Sequence, residues 1–335
     1  MLRKIIPSLV LIIILLGSYV PLGFSKPNTT RNYSVQDIGS LANTWSRASD
    51  INDLGQVVGV SGGSDAYNHA FLWSKNRGMI DIGTLPEGTD TWGQAINNLG
   101  HVTGIATISG NYHAYFWTSK NGMKDLGIPE GYTSISPYAI NDYDQIVGAF
   151  YNNYAEQHAF IWTPIGGFLD LSLIGGFTDS QALDINNVGQ VVGYSNLGPF
   201  IWSESSGMVL LNGQSYIDGI AWGINDLGQV VGQTGAHAFL WTVKNGFTDL
   251  GILPGFTYSY AHEINNAGQI VGTCYDNSFS YYHGFVWTQS SGMVDLGTMS
   301  GGTFSMADAG INARGQIVGF GDTSTGAYRA ILWIK

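Results

Sequence analysis

The string Ile-Asn-Asp-Leu-Gly-Gln-Val-Val-Gly begins at Ile51 and returns, altered, at Ile96, Ile140, Ile185, Ile224, Ile264 and Ile311. Successive copies start 39 to 47 residues apart, and a self-similar period of that size constrains the fold more than any single residue can. A second string, His-Ala-Phe-Leu-Trp in the first unit, follows each copy and ends at Trp73, Trp117, Trp162, Trp202, Trp241, Trp287 and Trp333. A third, of the type Gly-Met-x-Asp-Leu-Gly, follows in six units.

Each unit reads as four short strands rich in β-branched and aromatic residues: the run into Ile-Asn, then Gln-Val-Val-Gly, His-Ala-Phe-Leu-Trp and Met-x-Asp-Leu. The Asn-to-Gly stretch between strands one and two predicts a tight hairpin, the Asn side chain capping the turn and Gly supplying a positive φ. Strands two and three are apolar on both faces, as in Val57-Val58 and Phe71-Leu72-Trp73, so both faces must be covered. Copies stacked in a ring cover them, which predicts an all-β, seven-bladed β-propeller of four-stranded blades. A β-helix of seven double coils is the alternative, and the chain ends decide against it. The last unit stops after its third strand, while residues 33–39 form an orphan fourth strand at the other end. In a ring this N-terminal strand completes the last blade, with Val35 and Ile38 pairing against residues 331–333.

The three linked strings resemble the HAF repeat, a motif of bacterial extracellular proteins, and the resemblance covers the chain beyond its first residues. It departs in unit four, where Gly198-Pro199 replaces His-Ala and Leu210 replaces the Asp, and in unit seven, where Arg329 replaces His. It implies export and a repeat architecture, and it brings no catalytic residues with it.

Composition agrees. Gly accounts for 47 of 335 residues, a density that would break helix after helix, and 13% aromatic against 11% charged residues excludes disorder. Residues 1–25 read as a secretory signal peptide: Arg3 and Lys4, an apolar run over 5–16, and small residues Gly23 and Ser25 before a cleavage point. The run is too short to span a hydrocarbon core ~30 Å thick. These features predict a secreted, periplasmic or cell-surface destination, with a short linker at 26–32 and a single propeller at 33–335. Without Arg3 and Lys4, 11 basic residues face 24 acidic ones, a net charge of −13 that argues against a nucleic-acid partner. Cys274 is the only cysteine; no internal disulfide can form, and the residue is expected to be a small buried hydrophobe.

The repeated His69, His113, His158, His237 and His283 invite a metal reading. Equivalents on adjacent blades lie more than ~10 Å apart at that strand, whereas ligands must reach within ~2.1 Å of one ion. They are expected to bond across their own blade. The Asp of the third string, as at Asp81, Asp125, Asp170, Asp249 and Asp295 and at Asp37 in the orphan strand, is expected to be a turn acceptor. Asn52, Asn97, Asn141, Asn186, Asn225, Asn265 and Asn312 fill one position near the axis. An Asx turn accounts for them, and a ring holding water or a cation stays open. No phosphate loop, HExxH or calcium loop occurs, and no cofactor is expected.

The turns joining strands one to two and three to four are short. The two-to-three and four-to-one connections are long, variable and aromatic, and both leave the same face, where variable loops on a rigid scaffold carry specificity. Tyr151, Tyr154, Tyr275, Tyr281, Tyr282 and Tyr258 are therefore the candidate ligand-binding residues, for a glycan or a cell-surface protein. No catalytic or metal-binding residue is assigned. Two other readings stay open: an enzyme acting on an extracellular polymer through acids such as Asp65, Asp90, Asp179, Asp184 or Asp308, and a structural envelope or matrix protein.

Overall fold

A computed structural model describes residues 33–152, 156–213 and 217–335. The expected leader and linker, and Tyr154, lie outside the described residues. The chain forms seven four-stranded antiparallel sheets. In blade 1, Ser46–Ile51 is innermost, followed outward by Val57–Gly62, Asn68–Ser74 and Gly78–Asp81. Blades 2 to 7 begin at Gly88, Ser134, Ser180, Gly219, Tyr258 and Ser305. Blade 7 takes its outer strand from the other end of the chain: Ser34–Asp37 pairs with Tyr328–Ile334, Val35 opposite Trp333. The Ile38 amide then donates to the Ala330 carbonyl at 3.1 Å. The ring closes as the orphan strand predicted. One helical turn among the described residues, Leu171–Gly175, links blades 3 and 4 and is capped by Asp170.

The apolar clusters lie between blades. Val57 packs with Val318 and Leu332 of blade 7, and the next residue, Val58, packs with Ile96 and Val102 of blade 2. That is why strand two is apolar on both faces. Of the repeated indoles, Trp73, Trp117, Trp162, Trp202 and Trp333 are buried, while Trp241 and Trp287 are only partly so. Cys274 is buried, its Sγ 3.6 Å from Met293 Sδ, and burial pushes the thiol up to about 12.

Every inner strand carries a β-bulge at the same point, between Ala48 and Asp50 in blade 1 and between Ala261 and Glu263 in blade 6. The last Gly of the first string answers to it. A Cβ on Gly59 would overlap the Arg47 carbonyl oxygen of the bulged strand and crowd the Phe71 ring. The same carbonyl clash recurs at Gly104, Gly148, Gly193, Gly232, Gly272 and Gly319.

Candidate functional site

A channel follows the axis and flares at the long-loop face, the two together enclosing about 3200 Å³. Its walls are the seven inner strands. A bulge leaves one residue unpaired and re-aims side chains, so consecutive residues such as Ser49 and Asp50, or His262 and Glu263, both reach the channel.

At the short-turn end the repeated Asn closes a belt. Asn52 Oδ1 accepts from the amides of Leu54 and Gln56, while Nδ2 donates to Gln56 Oε1 and, at 3.0 Å, to the Asn97 carbonyl of the next blade. Asn97, Asn141, Asn186, Asn225 and Asn265 repeat the step to their neighbours, and Asn312 donates back to Asn52. The Asx turn and the blade-to-blade bond use the whole donor and acceptor capacity of the amide. Beside this belt, Asp53, Asn98, Asp142, Asn187, Asp226 and Asn266 alternate, each of the first five donating its backbone N–H to the side chain of the next. Strict alternation cannot close over seven places, and Ala313 fills the break, donating to Asp53.

Farther out, the repeated His and Asp meet across strands three and four. His69, His113, His158, His237 and His283 place Nδ1 2.6 to 3.0 Å from Oδ2 of Asp81, Asp125, Asp170, Asp249 and Asp295. In four of these the other carboxylate oxygen accepts from a glycine amide two residues on, the turn role expected. Unit four lacks both partners at once, having Gly198 and Leu210, and in blade 7 Arg329 faces Asp37 at 3.8 Å.

The flared mouth is aromatic. Tyr275, Tyr281 and Tyr282 line it, and Tyr258 stacks on Phe279 with centroids 4.9 Å apart. Rings run from Tyr260 through Tyr275, Tyr282 and Phe304 to Tyr328 across blades 6 and 7, with successive centroids 4.6 to 5.9 Å apart. Phe279, Tyr281, Tyr328, Trp45 and Tyr112 remain exposed. Tyr151 lines the same channel from blade 3. Its hydroxyl is 2.5 Å from that of Tyr138 and 3.4 Å from Gln181 Nε2. The candidate tyrosines thus fall into two groups, a wall on blade 6 and a tied ring on blade 3.

Among the acids considered for catalysis, Asp184 and Asp308 line the channel. Asp65 instead bonds His69 at 3.0 Å, and Asp90 holds the amide and side chain of Asn68. Asp179 is raised by burial and does not line the channel. The repeat analysis missed Asp50 and Glu263, which share the position of Asp184, one residue before Ile-Asn. That position is otherwise Ala95, Ala139, Gly223 or Gly310, so a carboxylate there was a visible departure. Burial raises Asp50 to about 7 against the amides of Ile96 and Ile51, and Asp184 to about 6 against those of Ile224 and Ile185. Glu263 is raised by burial and by the charges of Asp184 and Asp50.

One step toward the mouth stand Trp222, His262 and Asp308, from the bulges of blades 5 to 7, none of which except Asp308 was singled out by sequence. Arg47 Nη2 pairs with Asp308 Oδ2 at 2.6 Å, its guanidinium 4.8 Å from the Phe320 ring centroid. The Trp222 and His262 rings are 5.5 Å apart. Burial lowers the His262 pKa, with Arg47 acting in the same direction and Asp308 against it.

No protein-family model matches the chain, and no curated protein sequence does. Solved structures are similar in fold at low identity. Virginiamycin B lyase from Staphylococcus aureus is 12% identical with a TM-score of 0.58, over 90% of this chain and 100% of the other. The β-propeller domain of the Trilobed protease from Pyrococcus furiosus is 10% identical with a TM-score of 0.57, over 86% and 93%. Oligogalacturonate lyase from Vibrio parahaemolyticus is 9% identical with a TM-score of 0.56, over 90% and 96%. The chain is a seven-bladed β-propeller, similar in fold to propellers that include lyases and a protease domain.

Proposed function

We propose that this chain is an exported binding propeller that receives a neutral carbohydrate at its long-loop mouth. The observation that carries this is the run of rings from Tyr260 to Tyr328, with Phe279 and Tyr281 exposed beside it. Flat rings stack on the apolar faces of sugars, and Tyr adds a hydroxyl at little entropic cost. Small-molecule sites enclose about 300–1,000 Å³, so a mouth and channel of about 3200 Å³ suit an oligomer. The net charge of −11 over the full chain disfavours an anionic polymer. A propeller of the same fold is named for oligogalacturonate, so the scaffold has a carbohydrate precedent. The leader-like residues 1–25 support export.

A glycan array tests the proposal. Neutral oligosaccharides should be retained, and Phe279→Ala with Tyr281→Ala should weaken them by about tenfold or more, as loss of two stacking rings implies. No retention, or retention untouched by those changes, would overturn it. A hydrolase or lyase acting on the same polymer is the second reading, favoured by Asp50 and Asp184, whose carboxyls hold their protons toward neutrality. New chain ends appearing when the protein is incubated with a retained glycan would establish it.

A further inference from the structure

Below the aromatic wall, blades 5, 6 and 7 each hold a buried polar atom that has no partner among the described residues: Trp222 Nε1, His262 Nε2 and Asp308 Oδ1. Buried polar atoms are nearly always partnered, and these three sit on consecutive blades at the bulge position, lining one cavity. The Asp308 side chain is only 6% exposed, and its other oxygen is tied to Arg47. That bond orients the carboxylate and offsets its charge. These atoms have almost no accessible surface as the side chains stand, and a small rotation of each toward the channel would bring to it an N–H donor, an acceptor and an imidazole nitrogen able to serve as either, around a paired charge. Adjacent sugar hydroxyls, each both donor and acceptor, match this set. Inner strands enclose the crescent all round, and below it the Asn amides are fully engaged, so a chain end can descend to it where a mid-chain stretch cannot.

We propose that the crescent of Trp222, His262 and Asp308 is the subsite for the terminal unit of a neutral oligosaccharide, whose remaining units stack on the wall above. This rests on the carbohydrate reading. The test is titration calorimetry of the full chain with neutral gluco-, manno- and galacto-oligosaccharides from trisaccharide to hexasaccharide. Trp222→Phe keeps a ring and deletes the N–H, and should weaken binding about fivefold; Asp308→Ala should weaken it about fiftyfold. Each factor should be the same at every chain length, whereas the loss from Tyr281→Ala should grow with length. Asp308→Ala strands Arg47 and can disturb folding, so Trp222→Phe and His262→Leu, checked by near-ultraviolet circular dichroism, decide the matter. If both bind like the unaltered chain while Tyr281→Ala binds more weakly, the crescent is overturned and the carbohydrate reading stands. If the unaltered chain binds none of these sugars, both fall.

Discussion

At the short-turn end of the channel the same Asn recurs in all seven blades, while three residues away, or four in blade 7, the bulge holds Ser49, Gln94, Tyr138, Leu183, Trp222, His262 and Asp308 in turn. The Asn belt is a closed circle of side-chain donors and backbone acceptors, so each blade must supply what the next requires, and one missing donor opens the circle. Channel-facing positions nearer the loops carry no such obligation. There each blade differs, and there Trp222, His262 and Asp308 keep a polar atom without a partner among the described residues. Repetition marks what holds the ring together, and departures from it mark either a touching pair or the channel. Gly198 and Leu210 fill two positions whose side chains touch in five other blades, and His101 touches Asp144 at 2.8 Å; Asp50 and His262 belong to the channel.

The contrast can be broken first at the closure. Deleting residues 33–40 removes the Ser34–Asp37 strand and the buried Ile38 and bares the edge of Tyr328–Ile334, which should cost about 5 kcal/mol. An unchanged midpoint in denaturant unfolding would show that the ring does not depend on that strand. Next comes the belt: Asn186→Ala orphans the amides of Val188 and Gln190 and takes the blade-to-blade donor from the Asn225 carbonyl, which keeps only the Gly228 N–H, for a loss of about 3 kcal/mol. At the loop end His262→Leu should stay within about 1 kcal/mol, since Nε2 has no partner among the described residues to lose. Equal losses at the two positions would erase the distinction between them.

A further effect should appear with pH. Asp50 and Asp184 sit above their ordinary value in the folded chain, so the unfolded chain releases their protons first. Their contribution is full below about pH 4 and falls as pH rises, through about 6 for Asp184 and about 7 for Asp50. Unfolding free energies measured across that range should show the decline. Asp50→Asn should flatten it, whatever constant offset arises from turning an amide toward the Ile96 N–H. Smallest of all is the His–Asp clasp. The His158–Asp170 pair, with side chains 15% and 13% exposed, should contribute about 1 kcal/mol, and His237–Asp249, at 41% and 61%, too little to measure. Comparing His158→Ala with His237→Ala checks this gradient.

From the sequence alone, the number of blades, the order of strands, the hairpin turns and the closing strand could all be read. They rest on local signals, apolar runs and Asn-to-Gly turns, that recur often enough for the pattern to stand clear of any one exception. The Asn was legible as a turn cap and the His as bonding within its own blade, yet the remaining partners were not, because Asn52 and Asn97 meet only when blades pack and His69 and Asp81 only when strands pair. The channel lining was hidden for a sharper reason. A flat strand sends neighbouring residues to opposite faces, and on that rule Ser49 and Asp50, or His262 and Glu263, cannot share a wall. The bulge breaks the alternation in every blade, and only the paired register of the folded strands reveals it.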